Sequence, residues 1–407
     1  MSRKKSLNAL GAVATVALLA VAGCSSSGGG SSASTTPAGN SSPVANSGSS
    51  TGGTGNGSDV TAKLMIEGDF TSTIPFTLPE IVPMVKGVLK GFPNVTLETC
   101  DAKGTAPGFL ACEQKAISDK VAGVVAGFSS GGQDMSLLTK AKIPIIGVGD
   151  AHSPNMYPPS ESFSLYVALG AGLYKAGCKK LGIIYLDGSD FLVDYIKTGF
   201  EGSGGKEVAR AAVPATAADL SPAVSKVVGA GAECVAVSLV PTLAASALTA
   251  LKQSGKSLLI GGIAAVFSDQ VIAALGPLTD GLLVVDAQQN AADVTPGLTA
   301  AADAMHSEDP KAQLTEQAIE AYISAKLVAA ALPAVSGDVT AASLTTALDG
   351  LKNVDMGGVI PPWTSTPLDS KTFPRIFNHY GITYKITNGK PVRQGDFYDT
   401  SSLLVGK

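Results

Sequence analysis

The feature of the sequence that most limits its possible folds is a repeated alternation of short β-branched runs with Ala- and Leu-rich stretches. The runs predict strands at 61–66, 94–99, 121–126, 143–148, 181–186, 207–213, 234–240, 257–261 and 281–286. The stretches between them predict helices at 79–90, 108–119, 132–141, 165–177, 190–201, 219–230, 242–254 and 268–275. Because apolar strands separated by helices are typical of parallel sheets covered on both faces, the sequence predicts an α/β fold.

The alternation restarts after a Pro-rich break at 152–159, so the strands form two sets, each the size of one doubly wound lobe. After residue 290 the pattern becomes mainly helical, with further helices predicted at 312–332 and 341–351. A short strand is predicted near 382–386. Since ligands of such sheets bind outside the carboxyl ends of the strands, two lobes predict a ligand cleft between them.

The N-terminus has the pattern of a secretory signal. Basic residues at 3–5 precede an apolar stretch at about 10–22, which ends in small residues. The sequence Val-Ala-Gly-Cys at 21–24 resembles the lipobox of bacterial lipoproteins, so we predict a signal peptide at 1–23 and a lipid on Cys24. An uncleaved membrane anchor is the alternative, but the apolar stretch is short for a span of roughly 20 residues.

The segment that follows Cys24, through residue 58, consists mainly of Ser, Gly and Thr and contains no charged side chain. Such a segment buries too little apolar surface to become ordered, so 24–58 is predicted to be a flexible linker. Its root-mean-square reach as a coil is roughly 30 Å. We therefore expect a folded body on the extracytoplasmic face of the cell membrane, anchored to it through the lipid on Cys24.

The formal net charge of −4 excludes one class of partner. A nucleic-acid binder neutralises phosphates with Lys and Arg, and this chain has no excess of either. The long apolar run lies at the N-terminus alone, which argues against a multi-span membrane protein.

Four cysteines remain after Cys24, and outside the cytoplasm they are expected to form disulfides. Three pairings are possible. Cys178 and Cys234 each precede a predicted strand, and these strands would start side by side in a parallel sheet. Cys100 ends a strand and Cys112 lies just beyond the next loop, so we favour Cys100–Cys112 and Cys178–Cys234. A zinc site is the competing interpretation, although no Cys-x-x-Cys pair or His cluster supports it.

Local segments resemble those of a known family. They are Val-Ala-Gly-Val-Val-Ala-Gly-Phe-Ser-Ser at 121–130, Ile-Pro-Ile-Ile-Gly-Val-Gly-Asp at 143–150 and Lys-Leu-Gly-Ile-Ile-Tyr-Leu-Asp-Gly-Ser-Asp-Phe at 180–191. The helix predicted over 316–331 also resembles that family's long helix. With the lipoprotein signal and the order of elements over about 59–395, the chain resembles type I extracytoplasmic solute-binding proteins, in the leucine/isoleucine/valine-binding branch of ABC importers.

The resemblance implies the type I periplasmic binding protein fold, in which hinge strands join the two lobes. We expect these strands near residues 160, 286 and 335. Lobe 1 is then expected to comprise 59–160 with about 287–335, and lobe 2 to comprise 161–286 with about 336–407.

The resemblance also implies a function and a set of partners. The protein would be a monomer that captures a small polar or carboxylate metabolite, amino-acid-like or related, and delivers it to the permease of an ABC importer. It would be a transport protein and not an enzyme, with no cofactor and no metal. A ligand-binding sensor without transport is an alternative that the sequence leaves open.

Ligand residues of lobe 1 are expected after its strands. Ser129, Ser130 and Gly131 lie between a strand and a helix predicted to begin near Gly131, where a serine caps the helix and the N-terminus favours an anion. In the related family the equivalent serines help to hold the ligand carboxylate. Asp150 and Ala151 follow the next strand, where the family places a second carboxylate-binding stretch, and Asp150 departs from the family pattern. Phe70, after the first strand, is also assigned to the ligand.

Ligand residues of lobe 2 are predicted at Asp190, Phe191, Ser238, Val240 and Ala264, again between strands and helices. Amino-acid-binding relatives usually have an acid at the turn containing Ala264, where it pairs with the ligand ammonium. A buried ammonium without a counter-charge costs several kcal/mol. Either Asp150 or Asp190 therefore supplies the charge, or the ligand is not an α-amino acid, and we favour the second possibility.

A serine hydrolase is the alternative from a different class. Gly-Phe-Ser-Ser-Gly at 127–131 has the form of a nucleophile elbow between a strand and a helix. The one serious histidine partner is His379, in a late loop. No His-Gly-Gly oxyanion motif lies upstream, and the elbow follows only the third strand, which is early for that fold.

Overall fold

The computed structural model describes residues 59–72, 77–127, 129–130, 132, 134–148, 153–159, 162–370 and 375–405. The predicted signal peptide, the lipidated Cys24 and the linker lie outside these residues. So do three residues assigned to the ligand, namely Gly131, Asp150 and Ala151. None of the described helices is both long and apolar enough to span a membrane.

The first sheet is wholly parallel and is formed mainly by the N-terminal part of the chain. Its strands are β1 (Val60–Gly68), β2 (Val95–Asp101), β3 (Gly123–Ala126), β4 (Ile145–Gly147), β5 (Met156–Tyr157) and β11 (Gly337–Asp338). Their order is β11-β1-β3-β4-β5, with β2 also paired to β1.

The second sheet has eight strands in the order β13-β12-β10-β9-β8-β6-β7, with β14 paired to β12. The parallel strands are β6 (Lys180–Leu186), β7 (Lys206–Val213), β8 (Cys234–Ser238), β9 (Leu259–Ile263) and β10 (Leu283–Asp286). The antiparallel strands are β12 (Tyr380–Thr387), β13 (Lys390–Arg393) and β14 (Tyr398–Asp399).

Helices cover both sheets. Those of the first lobe are α1 (Ile81–Leu89), α2 (Ala106–Ser118), α3 (Ser136–Ala141), α9 (Pro296–His306), α10 (Glu316–Ala331) and α11 (Ala341–Asp349). Those of the second lobe are α4 (Ser162–Lys175), α5 (Asp190–Gly202), α6 (Ser221–Gly229), α7 (Pro241–Gln253), α8 (Asp269–Leu275) and α12 (Ser401–Leu404). The prediction of two α/β lobes is confirmed, with strands that are parallel throughout the first sheet and mostly parallel in the second.

Threonine residues mark where several helices begin. The hydroxyl oxygens of Thr105, Thr295, Thr315 and Thr340 each accept a backbone N–H from the first turn of the following helix. Such a cap satisfies one of the N–H groups that have no partner within the helix. The cap at Thr295 and the proline after it define α9, a helix that the sequence pattern indicated only as part of a general helical region.

The third passage of the chain between the lobes lies later than predicted. Gly337 pairs with Val60, so β11 extends the first sheet. Leu344 and Trp363 are buried in the apolar core of the first lobe. The chain therefore returns to the second lobe between 364 and 379 and not near 335, because a short parallel pairing and the helix after it keep this segment on the first sheet.

The cysteine pairs that we favoured lie at disulfide distance. The Sγ atoms are 2.02 Å apart in Cys100–Cys112 and 2.13 Å apart in Cys178–Cys234. In the register of the sheet Cys234 lies opposite Leu181, so neighbouring strands begin side by side as predicted.

Candidate functional site

The chain crosses between the lobes three times, and these three crossings lie side by side. The first crossing follows β5, the second follows β10 and the third precedes β12. In the last of them, Arg375 Nε donates to the Met156 carbonyl (2.8 Å), and Asn378 Nδ2 donates to the Ala287 carbonyl (3.1 Å). Since β5 and β10 are parallel strands that the chain leaves at their carboxyl ends, these ends of both sheets lie beside the crossings. This is where the sequence predicts a ligand site.

A fully buried carboxylate, that of Asp69, lies at the carboxyl end of β1. Its Oδ1 accepts the Gly104 N–H (2.8 Å) and the Ser129 hydroxyl (2.9 Å). Its Oδ2 accepts the N–H and the hydroxyl of Ser130, both at 2.7 Å. Gly104 has a φ of +65°, and a Cβ there would lie 3.0 Å from the Ser130 hydroxyl oxygen, so glycine suits this position. Sequence reasoning missed Asp69, although an acid directly after a strand is a recognisable signal.

The serines after β3 do not cap a helix. The next helix, α3, begins at Ser136, and its N-cap residue is Met135, several residues after the predicted start near Gly131. The hydroxyl groups of Ser129 and Ser130 instead bond to the carboxylate after β1. The helix N-terminus that was expected to favour an anion is therefore not at these serines, and their role toward a ligand stays a prediction.

A second carboxylate organises the turn after β1. Asp101 accepts the backbone N–H groups of Phe70 (3.0 Å) and Lys103 (3.0 Å), and both the N–H and the hydroxyl of Thr71. Burial acts to raise the pKa of Asp101, but these hydrogen bonds, led by those of Thr71, outweigh it and hold the pKa below its usual value. Phe70 is thereby fixed at the strand end and is half-buried against the core.

Two buried glutamates lie behind these strand ends. Glu67 and Glu113 are each 1% exposed, and among the residues that the structure describes both carboxyl oxygens of Glu67 and one of Glu113 find no hydrogen-bond partner. Burial, followed by the charges of Glu113 and Asp69, raises the pKa of Glu67 to about 8. Burial and the nearby Asp134 raise the pKa of Glu113 to about 7. The first lobe therefore keeps protons on buried acids near neutral pH.

In the second lobe, Asp190 is the first residue of α5 and is exposed. Its Oδ1 accepts the Tyr185 hydroxyl (2.7 Å), and this bond, with burial, raises the pKa of Tyr185. Ser189 is the N-cap residue, and its hydroxyl donates to the Leu186 carbonyl. The Tyr185 hydroxyl, a neutral donor, thus fixes the Asp190 carboxylate at the carboxyl end of β6.

Apolar side chains are exposed at the same end of the second sheet. Phe191, at the start of α5, is 52% exposed, and Val240, before α7, is 41% exposed. The ring of Phe163 meets that of Phe191 edge to face, with centroids 5.9 Å apart. Exposed apolar groups beside a crossing are candidates for burial by a ligand.

The other two residues assigned to the ligand in this lobe are buried. Ser238 is 5% exposed and is hydrogen-bonded to Tyr166, whose pKa is raised by burial. Ala264 is 7% exposed, and its N–H donates to the Val285 carbonyl (3.0 Å). Both stand at strand ends, as predicted, but the protein itself covers most of their surface.

Acids also lie at the second crossing. Asp286 ends β10 and is buried, and this burial raises its pKa to about 7. Burial and the nearby Asp286 raise the pKa of Glu316, the first residue of α10, well above its usual value. In the described part of the chain, His, Cys, Asp and Glu side chains do not form groups of three or more that could hold a metal.

The proposed nucleophile and histidine do not form a hydrolase site in this structure. The single hydroxyl proton of Ser129 is donated to Asp69. His379 lies in the second lobe, where its Nδ1 is 2.8 Å from Asp399 Oδ1. A histidine base must accept the hydroxyl proton of its nucleophile, and here that hydroxyl donates its hydrogen bond to Asp69 of the first lobe.

Two cavities in the described part of the chain lie apart from the residues that the sequence assigned to the ligand. One, of about 620 Å³, lies along β7 and is lined by charged residues, including Lys197, Glu207 and Arg210. The other, of about 440 Å³, lies between Gln289 at the second crossing and Phe397 near β14. Neither is lined by a residue that the sequence assigned to the ligand.

The sequence matches one family over most of its length. The model of the periplasmic binding protein family matches residues 84–373. The chain belongs to this family. The prediction from the resemblance is thereby confirmed at the level of family and fold. No curated protein matches the chain in a sequence comparison.

Solved structures with the same fold are distant in sequence. A putative branched-chain amino acid ABC transporter protein from Rhodospirillum rubrum is 18% identical with a TM-score of 0.67, covering 82% of this chain and 100% of its own. A fatty acid ABC transporter substrate-binding protein from Thermomonospora curvata has the same identity and TM-score, covering 86% and 95%. An R. palustris solute-binding protein in complex with 4-hydroxybenzoate is 17% identical with a TM-score of 0.67, covering 84% and 97%.

Proposed function

We propose that this periplasmic binding protein captures a small metabolite between its two lobes and delivers it to the permease of an ABC importer. The observation that carries the proposal is the meeting of the carboxyl ends of both sheets beside three adjacent crossings. Exposed Phe191 and Val240 lie at that end and have apolar surface for a ligand to bury. The protein binds its ligand without chemical change and needs no cofactor.

The mechanism follows from the two-lobed geometry. A ligand that contacts both lobes binds the closed arrangement more tightly than the open one and shifts the population toward it. The crossings after β5, after β10 and before β12 act as the hinge, because they are the segments that join the lobes. The permease then recognises the closed form.

The proposal includes an anchor on the extracytoplasmic face of the cell membrane. The lipobox-like residues before Cys24 support lipidation, and the Ser- and Gly-rich linker after it supports a body that searches for the permease. A monomer suffices for this function. Mass measurement of Cys24 in the mature protein tests the lipid directly.

Phe191→Ala is expected to weaken ligand binding at least about tenfold with little change in stability, because the side chain is half exposed without ligand. The matched control is Val294→Ala, which removes an apolar side chain that is 95% exposed. A ligand is first found by thermal shift of the purified protein against amino acids, amines, carboxylates, aromatic acids and amides. Equal affinity of Phe191→Ala and wild type would place the ligand elsewhere.

A further inference from the structure

The first lobe was expected to offer hydrogen-bond donors to a ligand carboxylate. These donors already bond to a carboxylate of the protein, that of Asp69. The four donors to Asp69 are neutral groups of Gly104, Ser129 and Ser130. An ionised carboxylate has about four acceptor positions, so this group is satisfied without a cation. A ligand carboxylate would have to displace Asp69 or lose these donors.

The bond to Asp69 also changes what Ser130 offers to a ligand. The hydroxyl has one proton, and it is directed at Asp69 Oδ2 at 2.7 Å. Ser130 is exposed, so the lone pairs of its oxygen remain for a ligand. Donation to an anion polarises that oxygen and strengthens it as an acceptor. Ser130 therefore suits a ligand group that donates, such as an ammonium, and not a carboxylate, which only accepts.

Carboxylates predominate at the described strand ends. Asp101 lies in the neighbouring turn of the first lobe, and exposed Asp190 stands at the corresponding edge of the second. Lys103, the basic residue of the turn after β2, is exposed. A ligand anion would approach several carboxylates, whereas a ligand cation would be attracted to them.

We propose that the ligand is a largely apolar amine, with its ammonium group at Ser130 and its apolar part against Phe191. This rests on the proposed function, since it assigns a ligand class to the same cleft. The 4-hydroxybenzoate bound by the R. palustris protein is a carboxylate, so the two proteins would differ in the polar end of the ligand.

The first test uses probes that share an apolar body and differ in the polar group. They are isoamylamine, isoamyl alcohol and isovalerate, and benzylamine, benzyl alcohol and benzoate, each titrated against the purified full chain at matched ionic strength. We expect the amines to bind at least about tenfold more tightly than the carboxylates and Ser130→Ala to reduce this preference. Carboxylates that bind wild type as tightly as the amines would overturn the inference but leave the proposed function in place.

The second test does not need the ligand. Asp69→Ala removes the buried carboxylate and leaves the donors of Gly104, Ser129 and Ser130 without it. Acetate can then supply a carboxylate to these donors. We expect about 50 mM acetate, against chloride, to raise the thermal midpoint of this variant by about 2–3 °C. Wild type should not respond, and neither should Asp219→Ala, the control, which removes an exposed carboxylate that accepts the N–H and the hydroxyl of Ser221.

The outcomes separate the two proposals. If Asp69→Ala folds only in acetate, that result counts as rescue. If acetate does not stabilise Asp69→Ala, the donors of Gly104, Ser129 and Ser130 are not a carboxylate site. That result would overturn the inference that the ligand is an amine. Rescue combined with no binding of any probe to wild type would support the role of Asp69 and contradict the proposed function for solutes of this size.

Discussion

Replacing Glu67 by glutamine is expected to remove much of the loss of stability that we expect in wild type as the pH rises from 5 to 8. The pKa of this glutamate is raised from 4.5 to about 8 in the folded protein, chiefly by burial. Within the described residues its carboxyl oxygens have no hydrogen-bond partner, so no donor found there compensates an ionised Glu67. The uncharged glutamine has a similar shape and does not incur this cost.

The sign of the effect follows from proton linkage. Below pH 4.5 Glu67 is protonated in both the folded and the unfolded chain. Its contribution to the free energy of unfolding is then fully present. Between 4.5 and 8 the unfolded chain loses the proton first, so stability falls by about 1.4 kcal/mol per pH unit, and above 8 the contribution is gone. Across this range the expected loss is roughly 5 kcal/mol, and Glu113 titrates in the same pH range.

Thermal midpoints of wild type and Glu67→Gln, measured from pH 5 to 8.5, test this expectation. Glu308→Gln is the matched control, since it changes an exposed glutamate that is ion-paired to Lys90. Asp286 and Glu316 add to the pH dependence of both proteins, so the difference between the curves reports Glu67 together with its coupling to Glu113. Parallel curves for wild type and Glu67→Gln would show that Glu67 is already ionised at neutral pH.

Gly199→Ala is expected to destabilise the second lobe by about 3 kcal/mol or more. A Cβ at this position would lie 1.9 Å from the carbonyl oxygen of Val167 on α4. On the facing helix, a Cβ at Gly170 would lie 2.1 Å from the carbonyl oxygen of Ile196 on α5. Since the opposing atoms belong to the backbone, the helices must move apart, which opens the core between them.

The control for this substitution is Gly229→Ala. Gly229 ends α6, and a Cβ there would contact nothing within 4 Å. Because alanine favours the helix over glycine, this variant should be stabilised by up to about 1 kcal/mol. Urea unfolding of both variants measures the difference. Similar stabilities for the two variants would mean that α4 and α5 tolerate a wider separation than their glycines indicate.

The contact between α4 and α5 also matters for the ligand. Phe163 lies near the start of α4 and Phe191 near the start of α5, and their rings are in contact at the carboxyl end of the sheet. A shift between the helices would separate these rings. Any Gly199→Ala protein that remains folded is therefore expected to bind ligand more weakly as well.

The local pattern of the sequence was sufficient for the order of elements and for the class of fold. Runs such as 181–186 and the helix after them need only their own residues to show a buried strand followed by an amphipathic helix. Cys178 and Cys234 could be paired because each stands at or near the start of such a strand. These features depend on short-range periodicity, which a single sequence contains.

The tertiary structure alone decided the chemistry of the first lobe and the position of the third crossing. Asp69 lies 35 residues from Gly104 and 61 from Ser130 along the chain. No local pattern shows that a carboxylate at one strand end accepts hydrogen bonds from donors at two other strand ends. The two-residue strand β11 is too short to have a period, so only its pairing with β1 assigns it to the first lobe. Both features arise where distant segments meet, and there packing and hydrogen bonding decide the outcome instead of local preference.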